Sequence, residues 1–410
     1  MTEKLIVDNF LGIKHIELEL GDINVLIGPQ ATGKSVCAKL LYFFKNYFNY
    51  LPYNIIMNQG MINASTHYYT YNLEDDIFPL NFWGDSQPDL RYSYNDLSLR
   101  ITNKYELLLD TSQNLEDFAA ELSHENFNAA SYEYLRKNYL IFENIVKSEF
   151  IKKFGDFLLY EQVFIPAGRS FFINLEKNIF QVLKENRSLD LFIKHFGSTY
   201  ADFRDLCLKM GKNCIGAFDK QIEKILKGRY VFEGVGTVSE LYIESSDGRK
   251  TSVSYASSGQ QEILPLLMIL SNLPAYYKAG VTVYIEEPEA HLFPSAQRDI
   301  VELIVMVYNQ MKGKAQFVIT THSPYILTSL NNLMYAGQLY DREDESLDQK
   351  LEGIVPKDRA ISPKVVRAYE LNNGSCQSII DQESGIISTN EIDRISNELS
   401  VQFDDLLEMD

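Results

Sequence analysis

The order of apolar and polar residues predicts alternating strands and helices. Ile23–Ile27 is a continuous apolar run, which is typical of a strand buried on both faces. After a short loop, apolar residues recur at helical spacing over Val36–Leu51, and Pro52 ends the pattern. The alternation continues with predicted strands over 160–165, 281–285 and 315–320 and predicted helices over 259–273 and 295–310. Strands that alternate with helices in this way favour an α/β core with a mostly parallel sheet.

Other predicted elements surround this core. Lys4–Phe10 and Ile16–Leu20 predict two short strands, and Leu90–Leu109 predicts an antiparallel patch. The remaining patterns predict helices over about 115–155 and 172–227, a small meander over 229–254, strands over 365–371 and 378–381, and a helix over 390–407. The acidic run at 340–350 predicts a solvated linker.

A glycine-containing loop joins the strand Ile23–Ile27 to the following helix. Two glycines let backbone N–H groups approach phosphate oxygens closely, and the N-terminus of the helix adds a favourable dipole. In such a loop Lys34 would reach the β- and γ-phosphates, and the hydroxyl of Ser35 would ligate Mg²⁺. A glycine-rich turn is the alternative, but the strand before and the helix after favour a phosphate cradle. The predicted nucleotide-binding residues here are Gly28, Pro29, Gln30, Ala31, Thr32, Gly33, Lys34, Ser35 and Val36.

Two acidic residues follow the predicted strand Val281–Ile285. Glu286 is a candidate for the Mg²⁺ shell, and Glu287 is the candidate general base that polarises a water. A solvated strand end would give the same pattern. Its place downstream of a phosphate cradle favours the catalytic interpretation.

Two further motifs lie close to these acids in sequence. Ser257, Ser258, Gly259 and Gln260 open a predicted helix. They predict either a simple N-cap or a second anion site made of a hydroxyl and free N–H groups. His322 follows the last core strand, where it is either structural or able to sense the γ-phosphate.

In this order, the four motifs resemble those of ATP-binding-cassette head ATPases of the SMC/RecF kind. Within that group they are most similar to the AAA branch of the overcoming-lysogenization-defect nucleases and their relatives in bacterial anti-phage systems. The resemblance covers residues 1–335 and implies a P-loop fold. It assigns Gly28–Ser35 to Walker A, Ser257–Gln260 to the signature, Glu286 and Glu287 to Walker B, Ala290–Pro294 to the D-loop and His322 to the switch histidine.

Two positions depart from the pattern of these ATPases. Ser258 stands in the signature where a glycine is common. A metal-binding glutamine is usual before the helical lobe, and Gln162 is the nearest candidate, although its surroundings match poorly. The resemblance therefore implies catalysis by Glu287, His322 and Lys34, with ATP and Mg²⁺ as cofactors and Ser35, Glu286 and Gln162 at the metal.

The predicted fold is a P-loop α/β fold of the ABC-head type, with a mostly parallel core sheet, an antiparallel β lobe, a largely helical insertion and a small C-terminal α+β segment. We divide the chain into four segments. They are an N-terminal ATPase lobe with Walker A (1–110), a helical insertion or lid (111–228), a C-terminal ATPase lobe with the other motifs (229–335), and an acidic linker with a small extension (336–410).

The composition disfavours some classes of function for this chain. The formal net charge is −18, whereas a protein that grips DNA mainly through phosphates needs a basic surface. The chain has no apolar run of the roughly 18 residues that span a membrane. Its four cysteines share no metal-ligand spacing and fit a reducing cytoplasm better than a disulfide framework.

The resemblance implies two alternative functions. In the first, the chain forms a homodimer, or an assembly of dimers, around ATP and controls a separate effector such as a nuclease in anti-phage defence. A Toprim nuclease domain is not expected, because only about sixty residues follow the acidic run and no glycine-flanked glutamate strand precedes it. In the second, it is a RecF-like or SMC-like ATP-gated DNA clamp. The best candidates for its DNA contacts are Arg136, Lys137, Lys147, Lys152 and Lys153, although the solvent-exposed face of a helix is the simpler explanation for them.

Overall fold

The computed structural model describes residues 2–57, 77–79, 83, 87–102, 109–126, 139–175, 190–210, 216–235, 238–388 and 400–407. Within these ranges the strands are β1 (Glu3–Phe10), β2 (Ile13–Leu20), β3 (Ile23–Ile27), β4 (Asp89–Tyr94), β5 (Leu97–Ile101), β6 (Leu109–Thr111), β7 (Glu161–Ile165), β8 (Arg229–Val235), β9 (Val238–Glu244), β10 (Lys250–Ser252), β11 (Val281–Glu286), β12 (Ala315–Thr321), β13 (Val366–Asn372) and β14 (Ser375–Ser378). The helices are α1 (Lys34–Met57), α2 (Gln113–Asn126), α3 (Tyr139–Phe154), α4 (Ser170–Leu175), α5 (Leu191–Met210), α6 (Asp219–Leu226), α7 (Ser258–Tyr276), α8 (Pro294–Met311), α9 (Pro324–Tyr340) and α10 (Glu345–Glu352), and residues 400–407 are also helical.

A large mixed sheet organises the described part of the chain. Its strand order is β6-β5-β4-β1-β2-β14-β13-β3-β12-β11-β7, and β8, β9 and β10 form a separate small sheet. From β13 to β7 every neighbouring pair is parallel. From β6 to β2 every pair is antiparallel. The predicted α/β core with a mostly parallel sheet and an antiparallel lobe is therefore confirmed.

The parallel half is covered by helices on both faces. Val283 and Ile285 of β11 join the apolar cluster formed with α7 and α8, whereas Tyr284 between them joins the cluster formed with α1. This alternation follows from the pleat, since successive side chains of a strand point to opposite faces. Burial on both faces explains the nearly continuous apolar runs of the core strands.

The carboxyl ends of three neighbouring strands carry the predicted motifs. β3 lies beside β12, and β12 lies beside β11. Walker A follows β3, the two acids end β11, and His322 follows β12. Because these strands are parallel, their carboxyl ends meet at one edge of the sheet, where open α/β sheets bind ligands.

Several local predictions differ from the structure, and the strand predicted over 378–381 lies at Ser375–Ser378 instead. The second strand begins at Ile13 rather than Ile16, because Leu11 and Gly12 form the turn with φ of 48° and 83°. The run predicted to be a solvated linker contains α10, whose N-cap Asp344 accepts hydrogen bonds from the backbone N–H groups of Ser346 and Leu347. A capping carboxylate stabilises a short helix that charge alone does not reveal.

The C-terminal strands belong to the main sheet. β13 pairs with β3 in parallel, with Val366 opposite Ile23, and β14 links β13 to β2. Ala368 and Leu371 of β13 are buried. A strand beyond residue 336 thus flanks the strand that leads into Walker A, and the four-segment division remains a prediction. The first residues of the predicted helix 390–407 lie outside the described ranges.

Two further observations bear on composition. No helix in the described ranges is long and apolar enough to cross a membrane. Cys37 and Cys376 are free, but Cys207 is disulfide-bonded. The disulfide at Cys207 departs from the expectation that the cysteines belong to a reducing cytoplasm.

Candidate functional site

The Walker A loop depends on the small size of its two glycines. Gly28 has φ 152° and Gly33 has φ 100°, and residues with a Cβ atom rarely adopt such values. A Cβ atom on Gly28 would lie 2.1 Å from the carbonyl oxygen of Leu371. One on Gly33 would lie 2.8 Å from Cδ1 of Ile13. The loop is therefore packed tightly against β13 on one side and the β1–β2 hairpin on the other.

Lys34 is held inside this loop. Its ammonium Nζ donates hydrogen bonds to the carbonyl oxygens of Gly28 at 2.8 Å and Pro29 at 2.7 Å. Burial lowers the pKa of Lys34, and the negative charges of Glu287 and Glu289 oppose that shift. The ammonium thus lies within the electrostatic influence of the acids after β11.

The two acids at the carboxyl end of β11, Glu286 and Glu287, occupy different environments. Glu286 pairs with Thr320 of β12, and its Oε1 is buried without a hydrogen-bond partner among the described residues. Glu287 has a left-handed φ of 44°, and its N–H donates to the carbonyl of Thr320 at 2.9 Å. An orphaned carboxylate oxygen fits a cation, so Glu286 suits a Mg²⁺ site.

His322 contacts the candidate base. Its Nε2 lies 3.3 Å from Oε1 of Glu287. Glu289 fixes the segment that carries this histidine: its Oε1 accepts hydrogen bonds from the hydroxyl of Thr321 and the N–H of His322, both at 2.7 Å. Sequence reasoning missed Glu289, although a third acid shortly after the pair was a signal.

The signature segment caps α7. The Ser257 hydroxyl accepts a hydrogen bond from the N–H of Gln260, and the Gln260 side chain accepts one from the N–H of Ser257, which makes a capping box. Ser258 is exposed, and a Cβ on Gly259 would lie 2.8 Å from the carbonyl oxygen of His291. The N-cap is thus observed, the signature abuts the D-loop, and the anion site stays a prediction.

Gln162 lies away from Glu286, the other predicted metal ligand. It pairs with Thr282 near the amino end of β7, whereas Glu286 is at the carboxyl end of the neighbouring strand. Its Oε1 accepts a hydrogen bond from the hydroxyl of Tyr284 at 2.8 Å. The two ends of a strand are too far apart for one metal ion, so we remove Gln162 from the metal ligands.

Two residues that the sequence did not assign to the site support its backbone. Arg169 and Glu262 are fully buried, and the Arg169 guanidinium donates to the carbonyls of Glu286 and Glu287. The two residues form a buried ion pair, with Nε of Arg169 3.3 Å from Oε1 of Glu262. No sequence pattern indicated that the partner would be Glu262.

Residues 189–327 match the family model described as an AAA ATPase domain. The chain contains an ATPase domain. The match includes the signature, Walker B, the D-loop and His322, and the Walker A loop lies before it in the chain. The protein is accordingly an ATPase with an α/β P-loop fold. None of the proteins with curated functions matches this chain.

Three solved SMC heads are similar to this chain over most of its length. An SMC head bound to the C-winged helix domain of ScpA is 10% identical with a TM-score of 0.44, covering 93% of this chain and 98% of its own. The SMC head domain from Thermotoga maritima is 11% identical with a TM-score of 0.37, covering 92% and 98%. An SMC head with an extended coiled coil, bound to the C-terminal domain of ScpA from Pyrococcus furiosus, is 10% identical with a TM-score of 0.39, covering 97% and 99%. These TM-scores are low, and they carry no argument about function.

Proposed function

We propose that two copies of this ATPase close around ATP and open again after hydrolysis, and that this cycle controls a separate effector protein. The observation that carries the proposal is the meeting of three motifs at one sheet edge. Walker A follows β3, and the contact between His322 and Glu287 joins the ends of β12 and β11. A phosphate loop beside a carboxylate–imidazole pair suits hydrolysis of a phosphoanhydride.

The residues have separate roles in this proposal. Lys34 exchanges its loop carbonyls for phosphate oxygens, and the N–H groups at the start of α1 face the same charge. Glu287 accepts the proton of the attacking water, and His322 holds the carboxylate and senses the γ-phosphate. Ser35 and Glu286 would hold Mg²⁺, which would neutralise charge on the phosphate oxygens.

Exposed aromatic side chains support closure onto a second copy. Tyr255, just before the signature, is 81% exposed, and Phe293 of the D-loop is 78% exposed. The contact of Gly259 with His291 brings these two segments together. We propose that a partner covers these two exposed side chains. In the closed dimer, Ser257–Gln260 of one copy completes the ATP site of the other.

The charge of the chain favours a protein partner. With a net charge of −18, the surface attracts a basic effector and repels DNA. We place this activity in the cytoplasm and propose that the effector is a nuclease or toxin used in anti-phage defence.

The lysines predicted as DNA contacts for the DNA-clamp alternative are paired with carboxylates where the structure describes them. Lys147, Lys152 and Lys153 each pair with a glutamate, at 2.7, 2.6 and 2.8 Å. Arg136 and Lys137 lie outside the described residues. Lysines that neighbouring carboxylates neutralise are poor contacts for a phosphate backbone.

The test uses the Glu287→Gln variant of the full chain. Without its base the variant should hydrolyse ATP at least about 10²-fold more slowly and should accumulate as an ATP-bound dimer. Light scattering after size exclusion would measure its mass with ATP and Mg²⁺, with ADP, and with no nucleotide. Lys34→Ala in the same background is the control, since it should bind no ATP and stay open. Equal masses under all three conditions would exclude ATP-driven closure.

The same variant distinguishes the two functions. Pull-down from cells of the source organism with trapped dimer should retain a specific protein, which ATP either holds or releases. Salt-sensitive binding of a DNA duplex to the purified trapped dimer, with no retained protein, would favour the DNA clamp instead.

A further inference from the structure

Arg169 occupies the place where the edge strand of the sheet stops. β7 runs parallel to β11 up to the pair Ile165–Ile285. The next residue, Pro166, has no N–H and cannot continue the ladder of hydrogen bonds. The carbonyls of the strand end that carries the catalytic acids therefore need another donor on this side.

The guanidinium of Arg169 supplies these donors. Its Nη1 donates to the carbonyl of Glu286 at 2.8 Å and to that of Pro166 at 3.1 Å. Its Nη2 donates to the carbonyl of Glu287 at 3.0 Å, and its Nε donates to that of Glu262 at 3.1 Å. The rigid fork of a guanidinium thereby replaces a missing stretch of backbone.

Glu287 is held from both sides as a result. On the β12 side its N–H donates to Thr320, and on the β7 side its carbonyl accepts from Arg169. Its φ of 44° is in the left-handed region, which a glutamate adopts only where the surrounding structure imposes it. The two bonds supply that constraint and thus set the direction of the candidate base.

Glu262 fixes Arg169 and belongs to the signature helix α7. Its two carboxylate oxygens accept hydrogen bonds from the backbone N–H groups of Arg169 at 2.8 Å and Ser170 at 2.9 Å. Burial works against the charged carboxylate, but Arg169 and these N–H groups hold the pKa of Glu262 below its ordinary value. The start of this helix carries the signature, with Ser257 as its N-cap.

We propose that Arg169 is a positioning residue for ATP hydrolysis, which fixes the backbone of Glu287 and links it through Glu262 to the signature helix. This inference rests on the proposed role of Glu287 as the base. Buried ion pairs add little net stability, so a fully buried pair at this point suits a role in geometry. Movement of α7 upon contact with a second copy would be transmitted from Glu262 to Arg169, and from Arg169 to the backbone carbonyl of Glu287.

The test compares Arg169→Lys and Glu262→Gln with the wild-type ATPase. Lysine carries its three N–H donors on one nitrogen and cannot bond both catalytic carbonyls while also reaching Glu262. We expect kcat to fall at least about tenfold in each variant, while KM for ATP changes less than about threefold, because the Walker A loop is unaltered. A double variant should lose little more than either single one, since both changes break one unit.

A matched control separates positioning from stability. Glu3→Gln disrupts another buried ion pair, with 3.1 Å between Oε1 of Glu3 in β1 and Nζ of Lys45 in α1. This pair contacts Gln316 near the amino end of β12, whereas the catalytic edge is at the carboxyl end. It should lower the melting temperature as the test variants do, yet keep the wild-type kcat per folded molecule. If Arg169→Lys folds poorly, Glu262→Gln gives the same measurement with an almost isosteric change.

The outcomes separate this inference from the proposed function. Wild-type kcat in folded Arg169→Lys and Glu262→Gln would overturn the positioning role and leave the ATPase cycle intact. An activity loss that follows only the unfolded fraction, as in Glu3→Gln, would overturn it too. Hydrolysis in wild type that Glu287→Gln does not reduce would instead remove the proposed base itself.

Discussion

The conformation of the Walker A loop requires a residue without a Cβ atom at Gly28. The Cα of Gly28 faces the carbonyl of Leu371 so closely that the loop leaves no room for a methyl group. Lys34 in turn bonds to the carbonyls of Gly28 and Pro29. A change at Gly28 therefore alters the position of the ammonium group as well as the loop backbone.

We predict that Gly28→Ala destabilises the protein and weakens ATP binding at least about tenfold. The added Cβ would sit 2.1 Å from the Leu371 oxygen, and φ 152° adds backbone strain of about 1–3 kcal/mol. Thermal unfolding and titration with a fluorescent ATP analogue measure the two effects. Gly248→Ala is the control: φ is 81° but no atom lies within 4 Å of the new Cβ, so it should lose stability only.

Wild-type ATP affinity in Gly28→Ala would show that the loop shifts without consequence, and the close approach to β13 would then be irrelevant to nucleotide binding.

At the scale of elements, the sequence predicted what is local. The run of strand, loop and helix around Walker A appears as expected, because its apolar periodicity and its glycines act within a few residues. The strands that carry Glu286 and His322 were also predicted, and their parallel order brings both to one edge. Whether each segment forms a strand or a helix depends on residues that are close to it in the sequence.

What the sequence did not predict depends on distant partners. The pairing of β13 with β3 joins Val366 to Ile23, and nothing near either residue specifies the other. Gln162 was chosen for its nearness to the helical lobe, but the strand register places it at the wrong end of β7. The bond from Arg169 to Glu262 likewise spans two elements that only the folded sheet brings together.

The start of α7 has two explanations that one pair of variants separates. Ser257→Ala removes the cap and should cost about 1 kcal/mol of stability. Ser257→Asp keeps a good cap, so its stability should match wild type, but its charge opposes a phosphate. We predict that both variants fail to form the ATP-dependent dimer in the Glu287→Gln background.

Chemical denaturation and light scattering measure these two properties separately. If Ser257→Asp assembles with ATP as readily as its parent, Ser257 is only a helix cap and the signature role is wrong.

At the scale of the whole molecule, the acidic charge and the exposed aromatics have opposite consequences for self-association. Two copies that each carry a net charge of −18 repel one another, so closure needs a compensating attraction. In the proposed dimer, burial of Tyr255 and Phe293 would supply part of this attraction, and the shared nucleotide would supply the rest. Neither contribution alone should hold the dimer, which makes its formation dependent on ATP.

We therefore predict that Phe293→Ser in the Glu287→Gln background weakens the ATP-bound dimer about tenfold or more, while ATP binding to the single copy stays unchanged. Burying one phenyl ring contributes about 1.5–3 kcal/mol, and about 1.4 kcal/mol corresponds to a tenfold change in Kd. Ile354→Ser is the control, because Ile354 is also 78% exposed but follows α10, away from the motifs. Sedimentation equilibrium with ATP and Mg²⁺ gives the dissociation constant of the dimer for each of the two variants. Equal weakening by the two substitutions would mean that general surface hydrophobicity, and not the D-loop face, drives assembly.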